Sequence, residues 1–255
     1  MTSLSLSDHS VFPKKYLIIL FVAAFVLLSI FNLPAGIIGG WLRNTGLNYR
    51  SIEGTLWQVE IYDAIFDGYP IHKLELEPKI GKLLLFQLAA GFKAENNQGQ
   101  ITGTITSAGQ GDFILNDIHA SANVIVSKNT NSFPTDFILN SDQLKIGENG
   151  QCRAGNFMIK SNLTDLLFSG LALELPPLSG QGQCDDGNIN MTLQTSGQGF
   201  EISLSGELNE QASKAMINIK LPESLNDLPR VTNELSARGF TKANGFWQTV
   251  MEIDR

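Results

Sequence analysis

Few side chains in this sequence are of types that do chemistry. The only histidines are His9, His72 and His119. None belongs to an H-x-x-x-H or C-x-x-C pair, and structural zinc needs about four ligands at matched spacing. His72 and His119 fall among the polar positions of alternating segments, so no metal is expected. Asp185-Asp186-Gly187-Asn188 concentrates carboxylates, but the remaining ligand positions of a calcium loop are missing. The same four residues suffice for a hairpin turn, which is the reading preferred here. There is no G-x-S-x-G elbow, no phosphate-binding G-x-x-x-x-G-K-S/T loop and no dinucleotide fingerprint on a strand-to-helix turn. No catalytic residue and no cofactor are therefore assigned, and the chain is not read as an enzyme.

Cys152 and Cys184 are the only cysteines. In an exported domain they meet an oxidising compartment, where a pair of thiols persists as a disulfide. Closing that loop stabilises a fold by roughly 3–4 kcal/mol in the chain-entropy view. Two buried free thiols are the alternative.

These residues must be carried by a scaffold, and the composition says which kind. Charged residues make up 17% of the chain and glycine contributes 24, a balance that suits short strands joined by tight turns. A formal charge of −7 opposes a phosphate-binding surface, so nucleic acid is not a partner.

Tyr16 to Leu33 reads YLIILFVAAFVLLSIFNL without a charge. As a helix it covers roughly 27 Å of a bilayer core roughly 30 Å thick. Lys14 and Lys15 precede it, which places the N-terminus in the cytoplasm and exports the rest. A cleaved signal peptide is the rival, but Leu33-Pro34-Ala35 matches a small-x-small cleavage site poorly. The expected organisation is a cytoplasmic tail over 1–15, a transmembrane helix over 16–34, a linker over 35–50 and a periplasmic β-rich domain over 51–255. Ile37, Ile38, Trp41 and Leu42 either lie along the outer membrane interface or belong to a plain linker.

In the exported part, Gly46, Gly54, Gly68 and Pro70 punctuate short apolar runs over 43–70. A strand is expected over 71–77, ended by Pro78. Residues 79–92, with LLLFQLAAGF at their heart, fit a buried strand or a short helix by periodicity; strand is chosen. Ile118, Ala120, Ala122, Val124 and Val126 alternate with His119, Ser121, Asn123 and Ile125. Ile189, Met191 and Leu193, then Phe200, Ile202 and Leu204, then Ile217 and Ile219 repeat the pattern as successive antiparallel strands. A helical turn or two is expected within 222–238, then a strand-like tail with Phe246 and Trp247 in the core.

Ser51-Ile52-Glu53-Gly54-Thr55-Leu56-Trp57-Gln58 follows the N-terminal apolar segment. This stretch resembles the G-T-L-W-Q signature of type II secretion system protein N (general secretion pathway protein N, GspN), and Leu76-Glu77-Pro78 followed by Leu83-Leu84-Leu85-Phe86 resembles that family's next segment. The resemblance covers most of residues 15–220. It departs where the family has Gly after Trp-Gln and this chain has Val59, and where Leu74 or Leu76 replaces a Trp. On its own chemistry, Gly54 permits a turn while Leu56 and Trp57 supply apolar area, either to core packing or to a docking surface.

The resemblance implies a mainly β fold, with one transmembrane helix followed by a curved antiparallel sheet forming an open, AsmA-like trough. It implies an accessory inner-membrane component of the type II secretion machinery of a Gram-negative bacterium, acting by protein–protein interaction in the export of folded periplasmic proteins. Its partners would be the inner membrane, other secretion components and lipid. The alternative is a membrane-anchored periplasmic carrier of lipid or another hydrophobic ligand.

Overall fold

A computed structural model of the chain describes residues 14–252 apart from 45, 67, 84, 110, 129–130, 148–149, 165–175, 198, 209–212 and 223–227. Helix α1 (Lys14–Phe31) leads through a 3₁₀ turn (Ala35–Ile38) and a short helix α2 (Gly39–Asn44) into strands β1 (Ser51–Thr55), β2 (Gln58–Phe66) and β3 (Tyr69–Pro78). A one-turn helix α3 (Ile80–Leu83) precedes β4 (Ala89–Asn96), β5 (Gly99–Gly109), β6 (Asp112–Lys128), β7 (Asn131–Ile146) and β8 (Cys152–Ser161). Next come β9 (Leu178–Asp185), β10 (Asn188–Gly197), β11 (Phe200–Leu208), β12 (Ser213–Lys220), helix α4 (Leu228–Ala237), β13 (Thr241–Ala243) and β14 (Phe246–Glu252). The strands form one open 14-stranded sheet that follows chain order except at its end, where β14 lies between β12 and β13.

Period-2 alternation in the sequence becomes two faces of that sheet. One row of register partners runs Ile52, Ile61, Leu74, Ala94, Ile101, Ala120, Leu139, Ile159, Gly180, Leu193, Leu204 and Ile217. The adjacent row, on the opposite face, begins Glu53, Glu60, Glu75, Lys93, Thr102, His119 and Asn140. Two glycines on the apolar face are covered by cross-strand rings, Gly103 by Phe92 and Gly182 by Phe157, so a Cβ at either would press on the aromatic carbons. Such pairs keep apolar area on a face where glycine would otherwise expose backbone.

Burial concentrates at the two ends of the sheet. At the first, Ala35, Leu42 and Leu47 cover Val59, Ile61 and Ala64. At the other, Val231 and Leu235 of α4, with Phe240, cover Leu193, Phe200, Ile202, Ile217 and Ile219. Strands β4–β7 enter neither cluster, and their apolar-face residues Phe92, Ala94, Ile101 and Leu139 are only half-buried.

Several expectations change. Residues 79–92 are not one strand: α3 and a turn occupy the run, and pairing begins at Ala89, whose carbonyl accepts the Lys79 N–H. Within the expected 35–50 linker, residues 35–44 form helical turns, and Ala35 and Leu42 pack on the sheet. Trp247 packs on the C-terminal core, but its neighbour Phe246 faces the other way, alongside Thr195 and Glu201. The side chains of Trp41, Val124, Ile125 and Val126, and the whole of residues 1–13 with His9, lie outside the described residues.

The transmembrane expectation also changes: among the described residues no helix is long and apolar enough to cross a membrane. Helix α1 has 18 residues and begins with Lys14 and Lys15. Its uncharged part, Tyr16–Phe31, therefore spans only about 24 Å at about 1.5 Å per residue, against roughly 30 Å of hydrocarbon.

Candidate functional site

The G-T-L-W-Q stretch forms the turn between β1 and β2, with Thr55 paired to Gln58 and Leu56-Trp57 as the two-residue loop. Gly54 sits at φ 88°, and a Cβ there would collide with the Gln58 carbonyl oxygen. Only glycine meets both demands without strain. The Thr55 hydroxyl accepts the Trp57 backbone N–H at 3.3 Å, which tightens the loop.

This hairpin grips the end of α1. The last carbonyls of a helix lack their usual helical partners, and here the loop donates to two carbonyls of that region, one of which, Ile30, also accepts the Leu33 N–H. Trp57 Nε1 donates to the Ile30 carbonyl at 3.2 Å, and the Leu56 N–H donates to the Leu33 carbonyl at 2.9 Å. The Trp57 ring packs on Phe31 with centroids 5.6 Å apart at 42°. Pro34 bridges to Thr55, carrying the chain past the hairpin into the turns that cover β2. The motif is thus neither plain core nor free surface. It joins the apolar helix to the sheet.

The polar face beside this junction holds a compact ionic group. The Tyr62 hydroxyl donates to Glu60 at 2.5 Å, while Lys73 Nζ lies 2.7 Å from Glu75 and 3.4 Å from Glu60. The Tyr62 hydrogen bond, with help from Lys73, holds the Glu60 carboxyl below its usual value, and the same bond raises the Tyr62 phenol. The hydrogen bond to Glu75 leads the causes that raise Lys73. One lysine here serves two carboxylates.

The remaining singled-out residues do not converge. His119 Nδ1 is 2.7 Å from Asn140 Oδ1 on the polar face, whereas His72 lies 3.5 Å from Asp63 near the far end of β3. Among the described residues, no three His, Cys, Asp or Glu side chains are grouped to hold a metal. Asp186 and Gly187, at φ 43° and 84°, form the two-residue turn between paired Asp185 and Asn188. Cys152 and Cys184 are joined by a disulfide across β8 and β9, with Cα atoms 6.0 Å apart. Beside it, Asp112 takes Lys145 at 2.9 Å and Arg153 at 3.4 Å, an ionic knot joining β6, β7 and β8.

Two features of this end of the sheet escaped the sequence reading. The partner of Trp57 is a carbonyl 27 residues away, which no local pattern encodes. The apolar residues Leu85, Phe86 and Leu88 lie exposed rather than buried. An absence of turn residues around Phe86 hid the turn it makes.

No curated protein sequence and no solved structure matches the chain, so the AsmA-like likeness expected of its trough finds no support. A family model does match. The model for protein N of the type II secretion system (T2SS) aligns with residues 45–249, spanning β1 through most of β14 and including the hairpin that clasps α1. With most of its length so matched, the chain belongs to the type II secretion system protein N family.

Proposed function

We propose that the chain is an accessory, non-catalytic component of the type II secretion machinery, tethered to the inner membrane by α1 and acting through contacts of its periplasmic sheet. The observation that supports this reading is the joining of an apolar helix to a family-matched sheet through the hairpin at residues 54–58. Side chains along α1 from Tyr16 to Phe31 are exposed, between 41% and 70% for the large apolar ones, so the helix has an unburied apolar surface all round. Two polar side chains bond back to its backbone: Ser29 Oγ donates to the Phe25 carbonyl at 2.8 Å, and Asn32 Nδ2, just past its end, donates to the Leu28 carbonyl at 2.7 Å. Lipid offers no other partners, so such bonds suit a helix in hydrocarbon. A helix a few ångströms short is accommodated by local thinning of the bilayer and by lysines reaching to the headgroups. Lys14 and Lys15 favour a cytoplasmic N-terminus and a periplasmic sheet.

The partner surface in this reading is a sheet edge. Only Phe246–Gln248 of β14 pair with β13, leaving the outer edge of Thr249–Glu252 open to a further strand among the described residues. A photo-crosslinker placed at Thr249 in living cells tests this. Adducts with type II secretion components in the membrane fraction support the reading; adducts with lipid-transport proteins alone oppose it.

A second reading, a carrier of lipid or another hydrophobic ligand, is favoured by one observation. The uncovered middle of the apolar face holds a hollow of about 330 Å³ lined by Tyr69, Ile71, Ala94, Ile101, Ala120 and Ala122. Mass spectrometry of lipid retained through purification separates the two readings.

A further inference from the structure

The connection between β3 and β4 is built to hold apolar side chains in solvent. The Phe86 N–H bonds the Leu83 carbonyl at 3.0 Å and the Gln87 N–H bonds the Lys82 carbonyl at 3.0 Å, the paired bonds of a helix C-terminal motif that places one residue in the left-handed region. That position normally belongs to glycine; here it is Phe86, at φ 56°. A residue that carries a side chain is strained in this region. Phe86 is 100% exposed, Leu85 67% and Leu88 66%.

The chemistry around this patch is basic. No Asp or Glu occurs from Pro78 to Ala94, while Lys79 and Lys82 precede the apolar residues and have no ion-pair partner among the described residues. The connection also lies at the same end of the sheet as the α1 clasp. Val59, one residue past the hairpin turn, pairs with Leu76, and β3 ends at Pro78, which pairs with Ala90. With strands about 4.8 Å apart, the loop leaves the sheet within about 10 Å laterally of the hairpin that holds the end of α1.

We propose that the 79–88 connection is a second membrane contact, with Leu85, Phe86 and Leu88 entering the interfacial layer of the bilayer and Lys79 and Lys82 facing anionic headgroups. Together with α1 it fixes the sheet upright on the membrane, its clasp end down and the β2–β3 and β4–β5 turns away from the surface. The inference rests on α1 being the anchor, so its test reads the two separately.

The full chain carries an environment-sensitive fluorophore at F86C, L28C or N97C and is reconstituted into vesicles of phosphatidylethanolamine and phosphatidylglycerol containing shallow or deep nitroxide lipids. At position 86 the emission shifts to the blue and is lost to shallow nitroxides; at position 97, in the opposite turn, neither happens. Replacing phosphatidylglycerol by phosphatidylcholine, or making K79Q and K82Q, reduces the loss at 86. A label at 86 that behaves as at 97 overturns the proposal even when the label at 28 is quenched by deep nitroxides. A label at 86 that is quenched while that at 28 is not keeps the loop contact and removes the anchor. Blue-shifted emission at 86 that grows with protein concentration and ignores the nitroxides assigns the patch to a second copy and overturns the membrane contact. Phe86→Gly guards against misfolding as an explanation: it relieves the left-handed strain, so it should unfold at higher urea than the parent while the vesicle-bound fraction falls.

Discussion

Replacing Trp57 by Ala should loosen the helix from the sheet without unfolding the sheet. The substitution removes the Nε1 bond to the Ile30 carbonyl and the ring contact with Phe31. A net hydrogen bond contributes about 1 kcal/mol and an aromatic pair about 0.5–1.5 kcal/mol beyond its area, so the clasp loses about 2 kcal/mol. Opening of the clasp then becomes about 30-fold more frequent, since about 1.4 kcal/mol is a factor of ten. The Leu56 amide, which donates to the Leu33 carbonyl, reports that opening directly. In lipid nanodiscs its hydrogen exchange should accelerate by about this factor in Trp57→Ala and by about fivefold in Trp57→Phe, which keeps a ring and loses the donor. Amides within β11 and β12, at the far end of the sheet, should not change. Exchange at Leu56 equal to the parent's in both variants would show that Trp57 does not hold the helix.

Gly54→Ala should lower the unfolding temperature, because it forces a side chain into φ 88° and against the Gln58 carbonyl, a loss of about 1–3 kcal/mol. Cys184→Ser should lower the free energy of unfolding by up to about 4 kcal/mol, since the bond closes a separation of 32 residues, and denaturant titration of oxidised and reduced protein measures it. Asp112 makes the stability fall in acid: the Lys145 hydrogen bond, then the Arg153 charge, lower its carboxyl against the opposing effect of burial. A lowered folded value means the stabilisation is present above the ordinary value of about 4 and is lost as pH falls through the folded one. Asp112→Asn should flatten that acid limb of the urea midpoint against pH, and an unchanged limb would remove Asp112 as its source.

What was legible in the sequence was whatever is local or periodic. Ile118, Ala120 and Ala122 against His119 and Ser121 gave a strand and its faces, and the register rows of the sheet follow that alternation strand after strand. Asp186-Gly187 carried its turn in two residues. What was hidden depends on distance or on a broken rule. An apolar run such as 83–88 reads the same whether buried as a strand or displayed on a strained turn, and only the bonds to Lys82 and Leu83 decide. Trp57 was visible as a motif residue, yet its role lies in its contacts with Ile30 and Phe31 across the α1–β1 connection.

That α1 holds the sheet to the bilayer is tested by membrane partition of the full chain against the chain lacking residues 1–34. After alkaline carbonate extraction, which strips surface contacts such as the 79–88 loop, the full chain should stay in the membrane pellet and the shortened chain should leave it. A shortened chain that remains embedded, or a full chain that washes off, would contradict the account.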